Sequence, residues 1–115
     1  MTVDFQAFSR KMESKYNIVA VSIYTEKNGV YNCLYGNKIP NIEEYGAYTN
    51  SKIKENAVGL KDDKRYKSRF ITKFVFSDIE YIIILSSFAL HTFSSSVKEI
   101  GQDVLNLGIE IDKIR

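Results

Sequence analysis

The residues of this 115-residue chain with types suited to catalysis are few: one histidine, His91, one cysteine, Cys33, and two adjacent carboxylate pairs, Glu43-Glu44 and Asp62-Asp63. A metal site built on imidazole wants two or three histidines, or cysteine and carboxylate partners at short spacing. His91 has neither, and one histidine defines no triad order. Cys33 has no second cysteine for an intrachain disulfide and no nearby histidine or basic cluster to activate its thiol. It reads as a small buried hydrophobe in a reducing cytoplasm. Neighbouring carboxylates rarely converge on one substrate, so both pairs read as solvated charge. The glycines at 29, 36, 46, 59, 101 and 108 are too scattered for a phosphate loop or a dinucleotide fingerprint. No catalytic residue, cofactor site or metal site is expected, and the chain does not read as an enzyme.

Two patterns point to binding instead. Tyr45, Tyr48 and Lys52 form a stripe about a quarter-turn away from the apolar stripe of the same expected helix. That helix would not need two tyrosines there to cover a sheet, which makes the three residues a candidate dimer or partner surface. Lys61, Lys64, Arg65, Lys67, Arg69 and Lys73, interleaved with Tyr66 and Phe70, form a candidate basic surface of the kind that tracks phosphates and stacks bases. Asp62 and Asp63 weaken its field, and the formal charge of +2 is small for a dedicated nucleic-acid binder. A nucleic-acid partner is therefore not expected.

These residues are positioned by elements that the sequence marks out. Phe5, Phe8 and Met12 recur at helical spacing after a possible Thr2 cap, and Tyr16-Asn17 ends that helix. Ile18 to Tyr24 and Val30 to Tyr35 read as strands joined by Glu26-Lys27-Asn28-Gly29. Asn-Gly readily takes the two positive φ angles of a type I′ hairpin turn. Asn41 and Glu44 resemble a capping box opening a helix to about Ala57, with Ile42, Gly46, Thr49, Ile53 and Ala57 in one stripe and Gly59 placed to stop it. From Arg69 to Phe76 the residues alternate, with Phe70, Thr72, Phe74 and Phe76 on one face and Arg69, Ile71, Lys73 and Val75 on the other. Ser77-Asp78 makes a turn, and Tyr81 to Leu85 is apolar throughout, as in a central strand covered on both sides. After a connection from Phe88 to Phe93, Ser96 and Glu99 mark a capping box for a last helix along Val97, Ile100, Val104 and Leu107. Two endings are open for it, at Gly108 or at Ile114.

The composition is globular, 44% apolar and 26% charged, with seven Phe and eight Tyr but no Trp. Its length suits one domain, residues 1–115. The chain does not open with a charged segment followed by an apolar run, and its apolar stretches fall short of the roughly 20 residues that span a bilayer. A cytoplasmic location is expected. Short connections between paired strands predict an α/β (α+β) sandwich: a mainly antiparallel sheet of four to five strands with helices packed on it, in the order α-β-β-α-β-β-(β)-α.

Ile18-Val-Ala-Val-Ser-Ile-Tyr24, the turn Glu26-Lys-Asn-Gly29, the strand Val30 to Tyr35 and the later Ser77-Asp-Ile-Glu-Tyr-Ile-Ile-Ile-Leu85 resemble the roadblock (dynein light chain) family, in its small archaeal type. The family commonly carries three strands between its second and third helices, of which two are evident here. The resemblance implies a single roadblock-like domain that is non-enzymatic and homodimeric, pairs through the second helix and an adjacent edge strand, and scaffolds or regulates partners such as a small GTPase. Two other functions compete with it. One is a small-molecule-sensing domain of PAS- or profilin-like architecture, with Thr72 and Cys33 lining its cavity. The other is a nucleic-acid binder using Lys61 to Lys73.

Overall fold

A computed structural model describes residues 3–40, 42–46, 52–55 and 66–114, with the backbone alone at 46 and 52–55. The elements run α1 (Phe5–Lys15), β1 (Ala20–Lys27), β2 (Val30–Tyr35), α2 (Ile42–Gly46), β3 (Lys52–Glu55), β4 (Ser68–Phe76), β5 (Ile79–Ser87), α3 (Thr92–Ser95) and α4 (Val97–Ile114). The five strands form one sheet in the order β2-β1-β5-β4-β3, with every neighbouring pair antiparallel. The α+β sandwich expected from the sequence is the observed class, and five strands is the upper of the two expected counts. None of the described helices is long and apolar enough to cross a membrane.

Both hairpins turn where the sequence places them. Asn28 and Gly29 take φ of 54° and 80°, and the Gly29 N–H donates to Glu26 Oε1 at 2.6 Å. Ser77 and Asp78 take φ of 51° and 68°, so the second turn holds two non-glycine residues in the left-handed region. At the end of β2, Gly36 (φ 85°) runs so close to the Val21 carbonyl that no Cβ would fit between them. That approach directs residues 37–40 back across the sheet.

Strand alternation builds two cores. On one face Val21, Ile23, Phe70, Ile83 and Leu85 pack under Phe8 and Met12 of α1, Phe93 of α3, and Ile100, Val104, Leu107 and Ile111 of α4. On the other, Tyr24, Ile71, Ile82 and Ile84 pack under Ile39, Ile42 and Tyr45. The alternation expected for β4 is observed, with Phe70 in the first core, where Phe74 and Phe76 pack against it, and Ile71 in the second. The open ending of the last helix resolves in favour of Ile114. Gly108 lies inside α4, where a Cβ would come 2.9 Å from the Phe74 ring, so it brings the helix close to the sheet and does not stop it.

Three expectations are corrected. The cap of α1 is Asp4, whose carboxylate accepts from Ala7 N at 2.9 Å; Thr2 lies outside the described residues. Val97, expected on the buried face of α4, is 43% exposed. The helix expected to reach Ala57 does not do so, because residues 52–55 are strand β3, paired from Lys52↔Ile71 to Glu55↔Ser68. The expected stripe is weak in helix propensity, holding Gly46, Thr49 and Ile53. The outer backbone edge of β4 offers a short Lys-Ile-Lys-Glu segment a ladder of hydrogen bonds instead.

Asp103 joins α4 to α1. Its carboxylate accepts from Tyr16 Oη at 2.7 Å and Lys15 Nζ at 2.8 Å, with Lys11 Nζ 3.1 Å away. Burial alone would raise its pKa, but hydrogen bonds from Lys15, Tyr16 and Lys11 outweigh burial and hold the carboxyl below its ordinary value. A depressed carboxyl contributes stability that is complete above its unfolded-state pKa and is lost as pH falls through the folded value. Asp103→Asn is expected to cost about 1–2 kcal/mol at neutral pH. In urea titrations across pH, the gap between wild type and variant should close on acidification below the usual carboxylate range. A gap independent of pH would contradict the assignment.

Candidate functional site

The face of the sheet under α2 is graded from polar to aliphatic to charged. Its first row runs Arg69–Ser86–Ala20 across β4, β5 and β1. The next is Ile71–Ile84–Ser22, then Lys73–Ile82–Tyr24, and the last holds Val75, Glu80 and Glu26. At the charged end Lys73 Nζ lies 2.9 Å from Glu80. The Tyr31 hydroxyl there is raised above its ordinary pKa by burial first and by Glu26, Glu80 and Glu43 second. At the polar end, alanine and serine stand where later rows carry isoleucine and tyrosine. The shortfall in side-chain volume leaves a cleft of ≈ 150 Å³.

Arg69 forms one wall of the cleft and is 2% exposed. Its Nη1 donates to Tyr45 Oη at 2.9 Å. The guanidinium carbon lies 4.9 Å from the Tyr66 ring centroid and 5.6 Å from that of Tyr45, distances at which a cation is attracted to an aromatic ring. Tyr66 is itself stacked on Phe88, with centroids 5.6 Å apart and planes at 9°. The opposite wall is residues 37–40, fixed at two points. Ser22 Oγ donates to the Asn37 carbonyl at 3.1 Å, and the Ile39 N–H donates to Tyr24 Oη at 2.6 Å. Burial holds the Tyr24 hydroxyl above its usual pKa.

The candidate dimer stripe and the candidate basic surface meet here. Tyr45, expected to face outward, is 2% exposed and covers Arg69. Tyr45 stands three positions after Ile42 on α2, so both side chains lie on the helix side that meets the sheet. Lys52 sits on β3 opposite Ile71 and so is not on a helix with Tyr45; Tyr48 lies outside the described residues. Of the basic stretch, Arg69 is buried and Lys73 is paired with Glu80, whereas Lys67 is exposed. Lys61, Lys64 and Arg65 lie outside the described residues. Thr72 and Cys33 occupy opposite faces of the sheet and share no cavity: Thr72 lines a groove with Gly101 and Leu105 of α4, Cys33 one with Tyr24 and Tyr31.

His91 is exposed at the start of α3, where its carbonyl accepts from the Ser95 N–H, away from the cleft. Among the described residues, no three His, Cys, Asp or Glu side chains are grouped to hold a metal ion. The cleft is lined by Arg69, Lys38 and the hydroxyls of Ser22, Tyr66 and Ser86, of which the Ser22 hydroxyl is donated to the Asn37 carbonyl. What sequence reasoning missed was the pairing of Arg69 with two tyrosines. The available signal was a charge at an alternating position of an apolar strand, with small Ala20, Ser22 and Ser86 elsewhere. No family model, curated protein or solved structure matches this chain.

Tyr45→Phe is expected to remove the hydroxyl acceptor while keeping the ring, costing about 1 kcal/mol. Arg69→Met, which replaces the guanidinium between the two rings, should change stability more than Tyr45→Phe does. Chemical denaturation of the single variants and the double variant checks this. A double variant equal to the sum of the singles would show that the two side chains are not coupled.

Proposed function

We propose that this chain is a non-enzymatic interaction module that pairs with a second copy along β3 and presents the joined sheet to another protein, a small GTPase being the partner class the roadblock resemblance implies. The observation that carries the reading is β3 itself. Among the described residues it is the third strand between α2 and the later helices and stands at the end of the sheet, with β4 on one side only. The outer backbone groups of such a strand are a template for another strand.

The sequence of β3 suits pairing with itself. In a two-fold arrangement about its midpoint, Lys52 of each copy stands opposite Glu55 of the other, and Ile53 opposite Lys54. Opposite charges then face each other at both ends. The pairing would also continue the antiparallel pattern of the sheet, giving two domains one shared surface.

Sedimentation equilibrium should give about twice the 13.2 kDa chain mass. Adjacent N–H groups of an edge strand alternate between its partner and the open side. Proline at 53 and at 54, tested separately, should therefore give one variant that keeps its circular dichroism and becomes a monomer. A wild-type monomer at the highest soluble concentration would overturn the proposal.

A further inference from the structure

We infer that the outward face of α4 is a contact surface for a second copy of this chain, the two helices lying side by side and antiparallel about Leu105. This stands apart from the β3 pairing: it uses a different element and holds whether or not that edge pairs.

The helix carries more aliphatic surface than its own sheet covers. Ile100, Val104, Leu107 and Ile111 are buried and complete the face that packs on the sheet. Leu105 and Ile109, four positions apart on another side, are 48% and 47% exposed. Scattered singly, such residues would need no explanation. Here they continue a row with Gly101, one turn earlier. Glycine inside an 18-residue helix weakens it. Gly108 has the Phe74 ring against it, but among the described residues nothing lies within 4 Å of the point a Cβ at 101 would occupy. The fold of one chain makes no use of the missing side chain. A neighbouring helix laid along this row does, because it approaches closely at the glycine and fills the space with a side chain of its own.

That side chain is present on the same helix. A two-fold axis at Leu105 sets Leu105 against Leu105 and puts residues equally far to either side of it at one level. Gly101 of each copy then stands opposite Ile109 of the other. The same axis brings Lys98 opposite Asp112, both exposed, so opposite charges meet at each end of the contact. A carboxylate accepts from several donors, so a contact of Asp112 within its own chain leaves this one open. A parallel arrangement would instead set Lys98 against Lys98 and Gly101 against Gly101. Direction follows from charge and size together. One row of one helix is far smaller than the roughly 20–30 residues a side of a standard interface. The contact is therefore weaker than the sheet edge and forms at high protein concentration.

Disulfide trapping on the full chain tests it. In a Cys33→Ser background, Leu105→Cys and, separately, Asn106→Cys are oxidised with diamide at high concentration, and circular dichroism verifies the fold of each. Asn106 is also exposed but lies about 100° round the helix. A disulfide needs Cα atoms within roughly 7 Å, which the axis gives to position 105 and denies to 106. A covalent dimer of Leu105→Cys is expected, with Asn106→Cys left monomeric. Adding Lys98→Glu should lower the yield at 105, and adding Asp112→Lys to that variant should restore it. Proline at 53 or 54 should not abolish trapping, which separates failure of this contact from failure of the β3 edge. No dimer at 105, equal yields at 105 and 106, a yield indifferent to Lys98→Glu, or trapping lost in the folded proline variant would each overturn the inference.

Discussion

Four consecutive aliphatic residues, Ile82 to Leu85, all with 0% exposure, set the terms for this molecule. They lie in β5, hydrogen-bonded to β1 on one side and β4 on the other, so their side chains point alternately to both faces of the sheet. Neither face around them tolerates water, since leaving one such side chain exposed forgoes about 1.5–3 kcal/mol. Ile83 and Leu85 are covered by α1, α3 and α4; Ile82 and Ile84 are covered by α2 and residues 37–40. Among the described residues, three helices supply the first cover and one short helix with a loop the second, and the cleft lies beside that loop.

Much of this was legible because local chemistry and tertiary structure agree. The Asn28-Gly29 turn, the alternation from Arg69 to Phe76 and the apolar run of β5 each have one physical solution, which the chain adopts. The start of α1 was misplaced because Thr2 and Asp4 are equally good caps by type, and spacing to Ala7 favours Asp4. Gly108 was ambiguous because glycine serves both as a helix stop and as a site of close approach. The Phe74 ring, 34 positions away in sequence, decides between them.

A helix does open after Asn41, as the sequence suggests, and residues 52–55 depart from it for a different reason. A stripe of small residues is consistent with a helix, but Lys52 to Glu55 meets an open edge of β4 that no local pattern reveals. Tyr45, three positions after the buried Ile42, lies on Arg69, which dissolves the expected division between a tyrosine surface and a basic surface. The residues of the candidate site were singled out by type. Their grouping depended on register across β4, β5 and β1, which a single sequence does not encode locally. Two buried groups, a guanidinium and a phenol, are thereby placed where each lowers the cost of burying the other.

Amide hydrogen exchange along β5 tests this account most directly. If β5 is the twice-covered centre of the sheet, the amides of Ile82 to Leu85 exchange only through global unfolding, whether they point to β1 or to β4, and their protection tracks total stability as denaturant is added. Exchange of alternate amides in this run at the rates of the chain ends would place β5 at an edge and contradict the architecture from which both the cleft and the β3 edge follow.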